Sequence, residues 1–504
     1  MKKVQEKINI CDIHDNRVYD LDLVPTVGYS VEGVNRRLLS NEKRGQLTRD
    51  ISDFLSGLPQ KTELQFIFEK RLNADAFLTK FDSDQKSGRS ERSEFVINDQ
   101  INGYRKSDLV SRKTNLFIRN NGELPDKKKL MGFRYKWKKI DKINKKSEDA
   151  LEAIRKLHQK YISGQFINLI PMNDRDLFKY CFEHLNKEKS AYYIPEKMKL
   201  SCDKYDEKEL LQNGFLQFFS VRDQLMLSPI EHNKKSIFVN GRYYQTITLD
   251  FMPTQADDRV LEKLMYDLPG EYKINFSITV PNEDDKVKKL KFNRLVAKMF
   301  SVDLLGSNNQ KSVDDYETES LENEIEDSIK LLSDKVESLF EISVSILISD
   351  KDEHELIKRG EYISRLVHGI HNATAISDDF NHLDGFFSYL PGHGVLNQNK
   401  HLLFTSQLAY FFPIDSMFKG GKNQELLLKN TENELVPISF RENPLASSHV
   451  LVIGPTGKGK SFTINFLLKS ILAKNEGDYV TIIDKGGSYI KLCAAFNGSY
   501  FSID

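Results

Sequence analysis

The chain has 504 residues, and its 73 Lys and Arg residues are balanced by 73 Asp and Glu residues. This length is enough for about three domains with a substantial buried core. The zero formal net charge excludes a globally basic nucleic-acid binder and a strongly acidic solvating tail, so any charge effect must be local.

The cysteines and the N-terminus indicate the cellular compartment. The charged N-terminus shows no apolar signal segment, and no run approaches the roughly 18 apolar residues of a membrane span. The cysteines lack C-x-x-C spacing, which is typical of a reducing compartment and predicts neither a disulfide framework nor a zinc site. They are Cys11, Cys181, Cys202 and Cys493. The sequence therefore predicts a cytoplasmic protein.

Two strand–helix–strand units are predicted in the first 280 residues. In chain order, a strand, a helix and a strand are predicted over 18–26, 41–55 and 64–68, and the same three over 246–254, 257–266 and 272–280. Leu-Asp-x-x-Pro-Thr ends the first strand of both units, and Leu-Pro precedes the second strand of both. This echo indicates either two related subdomains or a coincidence of common turn residues.

Asn240-Gly241 separates two runs of β-type residues just before the second unit. Asn-Gly is the signature of a two-residue hairpin turn, because both central residues of such a turn take positive φ. The sequence therefore predicts a hairpin around this pair.

A basic stretch over 127–146 contains ten Lys or Arg residues against one acid, Asp141. Phe133, Tyr135 and Trp137 alternate there with cationic residues, as in a strand that binds single-stranded nucleic acid through one stacking face. A solvated surface hairpin is the favoured interpretation, and a patch docked on anionic lipid or on protein comes next. Nucleic acid comes last, since the net charge does not support it.

An acidic run over 314–326 leads into apolar residues spaced near the helical period over 325–340. This pattern predicts an amphipathic helix with a solvated acidic face. A strand over 340–348 and a helix over 352–370 are predicted to follow.

Residues 454–461 read Gly-Pro-Thr-Gly-Lys-Gly-Lys-Ser, the complete Walker A pattern G-x-x-x-x-G-K-S. An apolar run over 449–453 precedes this loop and a helical apolar pattern over 462–468 follows it, which is the strand–loop–helix context of a phosphate-binding loop. The glycines let successive backbone N–H groups point inward as an anion-binding nest.

The residues of this loop predict a site for ATP and Mg²⁺. Lys460 is expected to reach the β- and γ-phosphates and is the candidate catalytic residue, and Ser461 is expected to place its hydroxyl on Mg²⁺. The predicted cofactor-binding residues are Gly454, Pro455, Thr456, Gly457, Lys458, Gly459, Lys460, Ser461 and Phe462.

The order of motifs in the C-terminal third resembles one family. Leu390-Pro-Gly392 is followed by Phe412-Pro413, by a strand pair over 426–440 and by the Walker A loop, and residues 479–492 carry a strand and a Gly-Ser-Tyr element. This order resembles the TraC-type, VirB-four-like ATPases of conjugative type IV secretion systems. The resemblance is strongest over about 340–504 and looser over 18–280.

The resemblance implies a cytoplasmic ATPase that energises secretion or pilus assembly at the inner membrane. Other secretion subunits are its expected partners, and its working form is expected to be a homo-hexamer. The expected fold is α/β, with N-terminal α/β subdomains before the beginning of a RecA-like P-loop NTPase domain. The predicted domains are 1–205 with the basic insertion, 206–430 with the acidic helix, and 431–504 as the start of the ATPase domain.

Residues 480–484 have the apolar-run-plus-Asp form of a Walker B motif, but they form the strand directly after the loop helix, and Lys-Gly-Gly follows Asp484. Asp484 is therefore a cofactor-proximal candidate rather than a metal ligand. The acidic pair and arginine finger of a motor are expected outside the sequence, so the chain alone is predicted to bind ATP weakly and not to hydrolyse it. A DNA-translocating motor of the same superfamily and a non-catalytic assembly subunit remain alternatives.

Overall fold

A computed structural model gives the structure of the chain. It describes residues 7–10, 12–21, 24–73, 77–79, 81–82, 90–120, 168–187, 221–253, 258–282, 337–379, 381–397, 399–417, 420, 426–438, 449–455, 457–474 and 479–502. The chain divides into two compact units, one of Met1–Glu69 with Lys113–Ser416 and one of Lys70–Arg112 with Met417–Asp504.

The architecture is mixed α/β, as the sequence predicts. The strands are β1 Asp12–His14, β2 Arg17–Tyr19, β3 Pro25–Glu32, β4 Thr62–Arg71, β5 Ser111–Asn120, β6 Asn168–Pro171, β7 Ile230–His232, β8 Ile237–Val239, β9 Arg242–Phe251, β10 Tyr272–Thr279, β11 Leu339–Asp350, β12 Thr374–Ser377, β13 His401–Phe404, β14 Leu426–Lys429 and β15 Leu435–Ile438. The helices are α1 Asn41–Ser56, α2 Glu91–Arg105, α3 Asp174–Leu185, α4 Val221–Leu225, α5 Asp258–Tyr266, α6 Glu353–His368, α7 His382–Phe387, α8 Thr405–Phe411, α9 Lys460–Lys474 and α10 Ile490–Ala495.

Thirteen strands form one large sheet in the order β1-β2-β3-β5-β4-β10-β11-β9-β8-β7, with β6 beside β3, β12 beside β9 and β13 beside β11. The sheet joins strands on both sides of the predicted domain boundary at 205. That boundary lies outside the described residues, and the predicted division into three domains stays a prediction.

The strand order contains one pattern twice. In β3-α1-β4 and in β9-α5-β10, the next long strand of the chain inserts between the two strands of the unit, giving β3-β5-β4 and β9-β11-β10. The inserted strand is antiparallel to the first strand of its unit in both halves. The halves meet at β4 and β10, where the Lys61 N–H donates to the Val280 carbonyl at 2.8 Å. The strand predicted over 18–26 is wrong, because β2 ends at Tyr19 and β3 begins at Pro25. Pro25 therefore starts β3 whereas Pro253 follows the end of β9, so the Leu-Asp-x-x-Pro-Thr motifs are not at equivalent positions. The repeated strand order supports the duplication interpretation independently of these motifs.

The Leu-Pro-Gly segment lies against the centre of this sheet. The Gln65 amide on β4 donates to the carbonyls of Ser388 and Leu390 at 2.6 and 3.1 Å. Asn275 on β10 donates to the Ser388 carbonyl at 3.0 Å, and Ser345 on β11 lies 3.2 Å from the Tyr389 hydroxyl. The Leu-Pro-Gly segment forms no strand of its own, so its backbone groups need other hydrogen-bond partners. The polar side chains of Gln65 and Asn275 supply them, which explains why these side chains lie in the core.

Several local predictions are confirmed. The helix predicted over 41–55 is α1, and Ser40 caps it by accepting the Lys43 N–H. Asn240 and Gly241 have φ of 52° and 81°, the paired positive values of the predicted hairpin turn between β8 and β9. The basic stretch 127–146, the acidic run 314–326 and the helix predicted to follow that run lie outside the described residues, apart from 337–340. Within the described residues, no helix is both long enough and apolar enough to cross a membrane.

Candidate functional site

The backbone of the described loop residues has the conformation that the Walker A pattern requires. Gly457 and Gly459 have φ of 78° and 83°, in the left-handed region that side chains rarely adopt. An added Cβ at either glycine would meet no atom within 4 Å, so glycine is needed there for conformation rather than for space. Thr456 lies outside the described residues.

Helix α9 begins directly at the end of the loop. Lys460 is its first residue, and the Thr463 N–H donates to the Gly459 carbonyl at 2.9 Å. The N–H groups of the first turn of a helix have no partners within the helix and, with the helix dipole, favour an anion there. Ser461 is exposed in this turn, and 78% of Phe462 is exposed. The start of α9 is therefore accessible to a ligand.

Lys460 folds back over the loop. Its ammonium donates to the Gly454 carbonyl at 2.6 Å and to the Pro455 carbonyl at 3.0 Å. An added Cβ at Gly454 would lie 3.5 Å from the Lys460 Cγ, so the stem of the lysine packs on this glycine. The loop thus holds a cationic group on its own carbonyl oxygens.

A turn after the helix contains Asp484. Its carboxylate accepts the Gly486 N–H at 3.2 Å and the Ser488 N–H at 2.6 Å, and Gly487 has φ of 65°. Aspartate commonly closes a turn in this way by bonding to backbone groups that follow it. The chemistry that the structure gives Asp484 is therefore turn formation, and its expected position near the cofactor stays a prediction.

Asn465 connects this turn to the phosphate loop. Its amide donates to the Ser461 carbonyl at 2.9 Å and to the Ser488 carbonyl at 3.2 Å. Asn465 lies one helical turn after Ser461, so it supports the residue expected to hold Mg²⁺. Sequence reasoning missed this contact, although a polar residue four positions after Ser461 in an apolar helix is a usable signal.

The predicted strands over 449–453 and 479–483 are wrong. No strand is assigned in either segment, and the exposed fractions of Leu451, Ile453 and Ile483 are 84%, 84% and 100%. A strand exists only when a neighbour completes its hydrogen-bond ladder. Among the described residues, no segment pairs with either of these, so both apolar runs are exposed.

Residues 433–504 match the TraG P-loop domain family. Conjugal transfer protein TrbE of Rhizobium radiobacter is 23% identical over 294 residues, which is 56% of this chain and 35% of that protein. A TrbE conjugal transfer protein of Sinorhizobium fredii is 24% identical over 295 residues, which is 56% of this chain and 43% of that protein.

These similarities, to a TraG P-loop domain and to conjugal transfer proteins, agree with the resemblance to the TraC-type, VirB-four-like ATPases that the sequence indicates. The chain spans less than half the length of each of the two TrbE proteins. The match to a P-loop domain lies at the C-terminal end, as the sequence predicts, and the fold class of the described residues is confirmed as α/β. A P-loop domain implies nucleotide binding.

Proposed function

We propose that this chain binds ATP and Mg²⁺ through residues 454–461 as the nucleotide-binding component of a conjugative transfer system. The observation that carries the proposal is the loop itself, with two glycines in the left-handed region and the Lys460 ammonium 2.6 Å from the Gly454 carbonyl. The TrbE relatives, both described as conjugal transfer proteins, support the cellular role.

Each loop residue has a proposed role in this site. The backbone N–H groups of Gly457, Lys458 and Gly459 surround phosphate oxygens, and Gly454, Pro455, Thr456 and Phe462 complete the loop. Lys460 exchanges its two carbonyl partners for the β- and γ-phosphates. The Ser461 hydroxyl is the ligand that this loop offers to Mg²⁺, and the metal neutralises phosphate charge when bound.

The proposed cellular setting follows the family. We propose a cytoplasmic protein at the inner membrane, with other secretion subunits as partners and a homo-hexameric working form. Motor function, pilus assembly and the substrate transported belong to this proposal. The TrbE names support membership of a transfer system.

Calorimetric titration with MgATP tests the nucleotide proposal. Lys460→Ala should weaken binding about 10- to 100-fold, because it removes charge-assisted hydrogen bonds to phosphate worth about 1.5–3 kcal/mol. Lys491→Ala, which removes an exposed lysine of α10, is the matched control and should bind as the parent does. Equal affinity of the Lys460→Ala variant and the parent would contradict the proposal.

The same proteins test hydrolysis. We expect phosphate release by the parent to equal that of Lys460→Ala, because the carboxylate of Asp484, at the end of the apolar run after α9, is engaged in a turn. Turnover by the parent above that of the variant would show that other residues of this chain complete a catalytic site.

A further inference from the structure

The phosphate-loop helix α9 packs against a segment from the N-terminal part of the chain. We call residues 90–112 the docking arm; it contains α2 and the first two residues of β5. The docking arm and α9 belong to the same compact unit. In the sequence, however, the arm follows β4 and leads into β5, and both of these strands belong to the large sheet. This topology makes the surroundings of α9 unusual for a P-loop helix, whose neighbours in a βαβ unit are local in sequence.

The contact has an apolar core. Ile97 and Ile101 on α2 are buried with Leu427 of β14 and Ala473 of α9, and exposed fractions in this cluster do not exceed 9%. Tyr104 and Phe496 pack at its margin. Burial of branched side chains on one face of α2 gives this contact its main stabilisation, because the apolar area removed from water sets the gain.

Polar contacts fix the position of α2 on the β14–β15 hairpin. The Tyr104 hydroxyl donates to the Leu427 carbonyl at 2.5 Å, and the Val110 N–H donates to the Asn433 carbonyl at 2.9 Å. Arg112 lies 3.6 Å from a Glu432 oxygen and 3.4 Å from a Glu434 oxygen, with 5% of its side chain exposed. The C-terminal half of the docking arm is thus bound both to β14 and to the turn of the hairpin.

The ion pair between the two helices matters less. Lys469 on α9 lies 3.5 Å from the Asp99 carboxylate on α2, but 39% and 64% of these side chains are exposed. Water and salt screen such pairs, so they contribute little. The apolar face and the Tyr104 hydroxyl therefore carry the docking.

We infer that the docking arm is the surface that holds the phosphate-loop helix, and that it links α9 through the chain to β5. The partner of this surface is α9 with the β14–β15 hairpin of the same chain. Arg112 belongs to β5, which lies between β3 and β4 in the large sheet, so the arm continues directly into a central strand. The stability of α9 then depends on the docking arm whether or not ATP is bound.

Hydrogen–deuterium exchange on the full chain tests this dependence. Ile101→Ala removes a side chain that is 2% exposed and should raise the exchange rate of α9 amides at least tenfold, because local opening no longer breaks a packed contact. Exchange in β10 and β11 should stay as in the parent. Ile51→Ala in α1 removes an equally buried isoleucine, at 1% exposed, and should leave α9 unchanged.

Tyr104→Phe provides a milder second variant that keeps the ring and removes the hydroxyl bonded to Leu427. It should raise the exchange rate of β14 and α9 amides several-fold. If the Ile101→Ala protein does not fold, this variant provides the test. Exchange of α9 equal to that of the parent in both variants would overturn the inference. Faster exchange of α9 in Ile51→Ala, to the same degree as in Ile101→Ala, would also overturn it.

Discussion

Arg119 on β5 connects three segments that are distant in sequence. Its guanidinium donates to the Gly392 carbonyl at 2.6 Å and lies 3.4 Å from the Asp20 carboxylate and 3.5 Å from the Glu63 carboxylate. Burial raises the pKa of Glu63, and the charge of Arg119 opposes that rise. The cation is therefore what makes two buried carboxylates tolerable at this point in the core.

Arg119→Met should lower the free energy of unfolding by about 3–5 kcal/mol, because it removes the cation that lies nearest to the buried Asp20 and Glu63 carboxylates. Urea unfolding followed by circular dichroism measures the change. Adding Glu63→Gln to this variant should recover part of the loss, since one of the two uncompensated charges is then removed.

Lys179→Met is the control for the Arg119 variant. Lys179 pairs with Glu183 on the surface of α3 at 3.8 Å, with 55% of the lysine exposed, so its loss should cost under about 1 kcal/mol. Equal effects of the two substitutions would show that the Arg119 contacts are no stronger than a surface pair.

At the scale of the element, replacing each of two glycines by alanine should change stability in opposite directions, although both sites have room for a Cβ. Gly241 and Gly103 would each accept a Cβ without meeting any atom within 4 Å. Gly241 has φ of 81° in the hairpin between β8 and β9, whereas Gly103 lies inside α2. Gly241→Ala should destabilise the protein by about 1–2 kcal/mol, and Gly103→Ala should stabilise it by about 0.5–1 kcal/mol.

Thermal unfolding of the two alanine variants beside the parent measures both signs. Because neither change meets a steric obstacle, a difference between the variants reports backbone conformation alone. Destabilisation by Gly103→Ala would contradict the prediction, as would a Gly241→Ala protein as stable as the parent.

Features that depend only on residues adjacent in the sequence were predictable. The Asn240-Gly241 hairpin and the glycine conformations of the phosphate loop follow from φ preferences within a few residues. The predicted strands at 449–453 and 479–483 failed for the opposite reason. Apolar β-branched residues favour a strand, but a ladder needs a partner that local sequence does not specify.

The contact between α2 and α9 shows the same limit for helices. Apolar periodicity indicates that a helix has a buried face, but it does not identify the surface that covers that face. Ile97 and Ala473 share a core although one precedes β5 and the other follows the phosphate loop. The Walker A pattern was thus visible in the sequence, whereas the segment that packs against its helix was not.

For the whole molecule, the sheet order carries information that the sequence echo only suggests. The echo pairs the two strand–helix–strand units, but it does not place β5 between β3 and β4 or β11 between β10 and β9. Strand order depends on pairings between segments far apart in the chain. The repeated insertion in both halves therefore strengthens the duplication interpretation beyond what the short motifs support.

Two buried histidines predict how the stability of the molecule depends on pH. His393 accepts the Asn9 N–H on Nε2 at 2.9 Å, and its Nδ1 lies 3.0 Å from the Pro391 carbonyl, so the neutral ring fits its site. Burial, with Arg119 nearby, lowers the pKa of His393 to about 4. Burial and the neighbouring Lys273 lower the pKa of His184 well below its ordinary value.

The direction in which stability changes with pH follows from proton uptake by the unfolded chain. Below about pH 6.5 the unfolded chain binds protons that the folded His393 refuses until near pH 4, so stability present above pH 6.5 is lost as pH falls through this range. Asp415 acts in the opposite direction, because burial raises its pKa to about 6 and its contribution is lost as pH rises. Burial also lowers the pKa of His382 and raises the pKa values of Glu63 and Asp378, so groups of both signs titrate in this range and the contribution of His393 must be measured by substitution.

His393→Gln should flatten this dependence, because glutamine offers an acceptor to the Asn9 N–H and does not titrate. Each titrating histidine contributes about 1.4 kcal/mol per pH unit, so the loss of unfolding free energy from pH 6.5 to pH 4.5 should shrink by up to about 3 kcal/mol. Urea unfolding at several pH values, each referred to pH 7 for the same protein, cancels any constant cost of the substitution. Parallel curves for the variant and the parent would mean that His393 is protonated in the folded protein as readily as in the unfolded chain.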